Sequence, residues 1–108
     1  MPPPDDQSSL IDIRHSARLV AGFVAGVSRD DLFEDLILRA AVERHLITIG
    51  EAVKRLTQAF RDSHAEVDWK GWAGLRDIVV HAYDTIDEPE IWSVVTNDLP
   101  KLLGRWTR

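Results

Sequence analysis

The residues best equipped for chemistry lie in one stretch, Leu75-Arg76-Asp77-Ile78-Val79-Val80-His81-Ala82-Tyr83-Asp84, where an arginine, a histidine and a tyrosine interrupt an apolar helical pattern. Together they supply a fixed positive charge, a proton donor or acceptor that works near neutral pH, and a modifiable hydroxyl. That combination suits phosphoryl chemistry without a metal. In phosphodiester cleavage, His81 would move a proton to or from the ribose hydroxyl or the leaving oxygen, and Arg76 would stabilise the negative charge growing on phosphorus. His15, His45 and His64 are dispersed and form no HExxH or paired-carboxylate pattern. They read as surface or packing histidines, so no metal and no cofactor is expected.

Helical geometry constrains how the three groups meet. On an ideal helix Arg76 and Tyr83 are about 20° out of line, whereas His81 lies about 140° round from Arg76. One straight helix cannot aim all three at one point. Either the helix unwinds just before or at His81, or copies of the segment from two subunits face each other across a two-fold axis. Asp77, His81 and Asp84 form a stripe of their own, so either carboxylate could orient His81 or make it more basic.

The elements that must position this stretch are helical. Met1 to Gln7 holds three consecutive prolines and two aspartates, has almost nothing to bury, and reads as a flexible tail preceding a single domain over residues 8–108. From Ser8 or Ser9 as cap, Leu10, Ile13, Ala17, Val20, Val24 and Val27 alternate spacings of three and four, which predicts an amphipathic helix ending near Gly26. Ser28 to Asp31 then offers caps and first-turn acids for a second helix from about Asp31 to about Arg61. Its stripe of Leu38, Val42, Leu46, Ile49, Val53, Leu56 and Phe60 is widened by Phe33, Ile37, Ala40, Ala41 and Ile47, enough for neighbours in the bundle and a subunit partner as well. Gly50 inside this helix implies close approach of another backbone. Arg39 with Glu43, and Glu51 with Arg55, are spaced to support its surface as ion pairs.

Asp68 is the expected cap of a third helix that starts near Trp69 and carries the motif. A fourth begins at Asp87, with Pro89 in its first turn and Glu90 in the capping-box position, and Pro100 should kink or restart it. Trp72 and Trp92 sit at core-like positions, while Trp69 and Trp106 fit either core or surface. The fold class is therefore all-α, an up-and-down bundle of four to five helices, dimerising.

Composition bounds the rest. With 108 residues, 44% of them apolar and 29% charged, the chain has enough for one core, and no apolar run is long enough to span a bilayer. There is no cysteine, which excludes disulfides and thiolate metal sites, and no signal-like start, so a cytoplasmic location is expected. The net charge of -5 would repel a polyanion at long range, so any contact with RNA must be local.

The segment from Arg76 to Tyr83 matches the R-x4-H-x-Y pattern of HepT-like toxins in the HEPN superfamily. Ile49-Gly50-Glu51-Ala52, Trp69, Ile91-Trp92 and Asp98-Leu99-Pro100 resemble further landmarks of that family, and the resemblance covers most of the chain from about Leu10. It implies an all-helical homodimer with Arg76 and His81 lining a metal-independent ribonuclease cleft at the subunit interface. It also implies a nucleotidyltransferase-fold antitoxin as partner, and modification of Tyr83 with AMP to silence the toxin. Two positions depart from the pattern. Asp77 follows the motif arginine where many relatives have a polar amide, and Val67 stands where a proline often precedes the tryptophan. Asp77 would repel the scissile phosphate unless it pairs with Arg76 or His81 as an orienting group. The alternative to a toxin ribonuclease is a non-catalytic helical dimer, a regulatory or nucleotide- or RNA-binding interaction module.

Overall fold

The computed structural model describes residues 4–77 and 88–106, and over these every regular element is helical. The first helix, α1, spans Pro4–Val24. It starts earlier than its periodicity suggests, because proline suits the first turn of a helix, where no backbone N–H is needed. Residues 4–7 of the expected tail thus belong to the domain, and Met1 to Pro3 lie outside the described residues. What holds this start is Asp6, which is fully buried. Its carboxylate accepts from the backbone N–H of Thr57 at 2.8 Å and from the Thr57 hydroxyl at 2.7 Å. α1 ends at Val24, and Gly26 takes a φ of 72° that glycine adopts without a steric penalty.

The single long second helix is corrected to three: α2 at Arg29–Glu34, α3 at Leu36–Arg55 and α4 at Gln58–Ser63. Each starts on a side-chain cap. Ser28 accepts from Asp31 N–H, Asp35 from Ile37 and Leu38 N–H, and Thr57 from Phe60 N–H. Asp35 breaks the helix because its carboxylate offers the backbone an alternative to the intrahelical ladder, and its ψ of 100° turns the chain. At Leu56 and Thr57 the backbone is again extended, and the buried Asp6 takes up the Thr57 N–H that this exposes.

α1 and α3 form the central pair, antiparallel, since Asp6 meets Thr57, Asp12 meets Arg55, and Ser16 meets His45. Ile13, Ala17 and Val20 of α1 and Val42, Leu46, Ile49 and Val53 of α3 are all buried in the shared core. The surface pairs are partly as expected. Arg39 bonds Glu43 at 3.0 Å and also reaches Glu88 at 3.2 Å, whereas Glu51 pairs with Lys54 and Arg55 crosses to Asp12. Phe33 of the expected second face is buried, but Leu36 and Ile37 are 76% and 84% exposed.

The fourth expected helix is continuous but not uniform. α6 at Glu88–Ser93 passes through a π-helical turn, Val94–Asp98, into α7 at Leu99–Trp106. Leu99 donates to Val94 across five residues, and the next residue, Pro100, has no N–H to continue an α ladder. The wider turn accommodates the proline without ending the helix, so Ile91, Val94, Val95, Leu99 and Leu102 all stay buried. The expected cap Asp87 lies outside the described residues.

Candidate functional site

The chain leading to the motif is fixed to the core at several points. α5 is short, Trp69–Ala73, and Asp68 caps it by accepting from Gly71 N–H at 3.0 Å. Gly71 has no side chain to collide with that carboxylate. Trp69, whose place sequence alone left open, is buried, and its indole N–H donates to the carbonyls of Arg61 and His64. Its ring also meets Phe60 edge-on at 6.1 Å. Trp72 is buried as expected, and Trp92 packs partly buried against the core.

Gly50 is where α5 crosses α3. A methyl group at Gly50 would lie 2.8 Å from the Trp72 carbonyl oxygen and 3.6 Å from that of Ala73. The backbone approach expected from this glycine is thus present, and it offsets the roughly 1 kcal/mol that glycine costs inside a helix.

The third helix does not run unbroken into the motif. It stops at Gly74, whose N–H points to the carbonyls of Lys70 and Trp72, and a further helical turn covers Leu75 to Asp77. Leu75 is buried, while Arg76 and Asp77 face solvent. No hydrogen bond or ion pair joins Arg76 to Asp77 among the described contacts. His81 and Tyr83, the other two candidate site residues, lie outside the described residues.

Of the remaining histidines, His15 is exposed, and His45 and His64 serve packing. His45 Nδ1 lies 3.1 Å from the Ser16 hydroxyl and its ring lies 5.9 Å from Phe23. Burial, then the positive charges of His15 and Arg44, hold its pKa below the ordinary histidine value. The His64 ring lies tilted against Phe60 at 4.6 Å and meets Arg105, which also pairs with Glu66. Among the described residues no three histidine, aspartate or glutamate side chains are grouped to hold a metal ion.

A half-open cavity of about 390 Å³ lies between α5 and the α6–α7 helix, floored by Trp72, Leu75, Val94 and Leu102. Lys101 and Arg105 edge it, but Glu66, Asp68, Glu90 and Asp98 outnumber them, and Arg76 is not on its wall. Its charge disfavours a phosphate. Arg76 emerges instead on the solvent side of its turn.

The model of the family described as Ribonuclease HepT-like matches residues 13–105, which includes α3, the Gly50 crossing, the whole motif and the π turn. The chain belongs to the Ribonuclease HepT-like family. It is similar to "Putative RNase TTE0752" of Caldanaerobacter subterraneus subsp. tengcongensis, with 40% identity over 79 residues, 73% of this chain and 70% of that protein. It is 37% identical to "Putative RNase MJ0127" of Methanocaldococcus jannaschii over 100 residues, covering 93% of this chain and 83% of the relative. "Probable ribonuclease HepT" of Thermococcus cleftensis is 33% identical over 99 residues, 92% of this chain and 90% of that protein. No solved structure matches. Among the described residues no helix is long and apolar enough to cross a membrane.

Proposed function

We propose that this HepT-like protein is the ribonuclease toxin of a toxin–antitoxin pair and cleaves RNA with Arg76 and His81 without a metal. The observation that carries the reading is the family match over residues 13–105, which contains the R-x4-H-x-Y segment. In the proposed step the ribose 2′-oxygen bonds to phosphorus and the bond from phosphorus to the 5′-oxygen breaks. His81 carries the proton off the attacking hydroxyl or onto the departing oxygen. Arg76, on the solvent side of its turn and unpaired with Asp77, donates to the phosphoryl oxygens as charge builds on them.

A second copy of the chain completes the site in this reading. The exposed Leu36 and Ile37 at the start of α3 support dimerisation, because exposed large apolar side chains are favoured sites of protein contact. The regulatory partner is a nucleotidyltransferase-fold antitoxin that transfers AMP from ATP to the Tyr83 hydroxyl with release of pyrophosphate. An adenylate beside Arg76 would occupy its guanidinium and repel RNA.

The test compares purified wild type with Arg76→Ala and His81→Ala on RNA in EDTA. Cleavage by wild type at a rate far above the residual rate of either variant is expected, and equal cleavage by all three overturns the assignment. Growth arrest on expression, relieved by either substitution, is the expected cellular counterpart. Harmless expression with retained partner binding would favour the non-catalytic module instead. Sedimentation at micromolar concentration should give a dimer, and intact mass after co-expression with the antitoxin should show AMP on Tyr83.

A further inference from the structure

We propose that Gly50 is a positioning residue for Arg76, setting through the α3–α5 crossing where the guanidinium stands relative to the reacting phosphate; this rests on the ribonuclease reading above. Three observations meet at this crossing. Gly50 is buried in the middle of α3, and the atom facing it is a backbone carbonyl oxygen, that of Trp72, 2.8 Å from where a Cβ would be. A side chain could rotate away from an added methyl group, but a carbonyl moves only with its helix. The Leu75 Cβ, on the residue before Arg76, is 3.6 Å from the same point.

α5 has little freedom to absorb such a push. At its start the Trp69 indole is held by the Arg61 and His64 carbonyls at 3.2 and 3.0 Å, and Asp68 caps Gly71. The looser end is the C-terminal one, where Gly74 closes the helix on the same Trp72 carbonyl that Gly50 admits. Displacement at Gly50 therefore travels toward Gly74 and Arg76 rather than toward Trp69.

Ordinary contact requires the Trp72 carbonyl to retreat by about 0.6 Å, and misplacement by about 1 Å is enough to cost on the order of a hundredfold in rate. Gly50→Ala should thus lower kcat about ten- to a hundredfold while KM changes less than about threefold, since the displaced charge acts mainly on the transition state. Overall stability should fall as well, because forcing a backbone carbonyl aside outweighs the roughly 1 kcal/mol of helix propensity that alanine gains.

The experiment measures kcat and KM on an RNA oligonucleotide for wild type, Gly50→Ala, Arg76→Ala and the double variant, with Ala17→Gly in α1 as a control for destabilisation. If Gly50 acts through Arg76, Gly50→Ala costs nothing further once Arg76 is alanine, and Ala17→Gly keeps its kcat despite a lower Tm. Full additivity with Arg76→Ala, a change confined to KM, or an equal loss in Ala17→Gly would overturn the proposal. Should Gly50→Ala fail to fold, Trp69→Phe releases the other end of α5 without adding an atom to the core, and the same non-additivity with Arg76→Ala decides. A wild type that does not cleave RNA removes the parent reading and this one together; cleavage by wild type with an unaffected Gly50→Ala removes this one alone.

Discussion

Replacing Asp6 with alanine should strongly destabilise the domain, although composition alone marks this residue as part of a loose tail. The Asp6 carboxylate is fully buried and accepts two hydrogen bonds from Thr57, one from its N–H at 2.8 Å and one from its hydroxyl at 2.7 Å. Hydrogen bonds to a charged group contribute about 1.5–3 kcal/mol each, and removing the acceptor also leaves the Thr57 N–H without its partner at a broken helix end. A loss of about 3–5 kcal/mol is expected, and at roughly 4–8 °C per kcal/mol for a domain of this size the Tm should fall by more than about 10 °C. Asp6→Asn should cost less, because an amide can still accept from the N–H and donate to the hydroxyl oxygen. Thr57→Val keeps the N–H but loses the hydroxyl, so Asp6→Ala and Thr57→Val should couple by about 1–3 kcal/mol in a double-mutant cycle. Chemical and thermal unfolding followed by circular dichroism measure all of these. A Tm change of less than about 3 °C for Asp6→Ala, or for deletion of residues 2–7, would refute the claim that α1 is anchored through Asp6.

Three more perturbations follow from the same contacts. His45 has a depressed pKa in the folded state, so its contribution to stability is fully present above pH 6.5 and is lost as pH falls through the folded value. NMR titration should place His45 below the ordinary histidine value, and His45→Gln should remove that share of the acid-side loss in Tm. Asp35→Ala removes the acceptor for Ile37 and Leu38 N–H and should cost about 1 kcal/mol, seen as a lower urea midpoint with unchanged m. Arg39→Met leaves the buried Glu43 without its partner and breaks the link to Glu88. It should cost about 2 kcal/mol, with Glu43→Gln restoring part of the loss in the double variant.

How much of this could be read from sequence varies by residue. The apolar stripe through Val42, Leu46, Ile49 and Val53 is local and periodic, and all four positions are buried. Gly50 was legible because a glycine inside such a stripe weakens the helix and calls for a reason. Asp35 and Thr57 were not legible as breaks, since both fit the polar face of a helix as readily as a cap. Asp35 acts by its own local bonds, but Thr57 depends on Asp6, fifty-one positions away, and no periodicity encodes that pairing. The rival partner of Arg55 was missed for the same reason: Asp12 comes within 3.1 Å only once α1 and α3 lie antiparallel. Trp69 was ambiguous because an indole suits core or surface until the carbonyls of Arg61 and His64 are seen to face it.

The motif itself is legible by residue type, and the break at Gly74 lies ahead of it, separating it from α5 without bearing on the angles among Arg76, His81 and Tyr83. The turn from Leu75 to Asp77 begins anew after the glycine. The described scaffold sets a boundary within that turn: Leu75 is inside, and Arg76 and Asp77 are outside. Electrostatics gives that boundary its meaning. On a chain of net charge -5, Arg39, Arg55 and Arg105 are each neutralised by a carboxylate. Arg76 has no such partner among the described residues, and neither have Arg14, Arg18, Arg29, Arg44 and Arg61. A guanidinium left free on an acidic surface is a local attraction for phosphate that distant charge screens poorly within a Debye length. What singles Arg76 out among them is its place in the R-x4-H-x-Y segment, so the proposed mechanism gives it the anion-binding role and His81 the proton-transfer role.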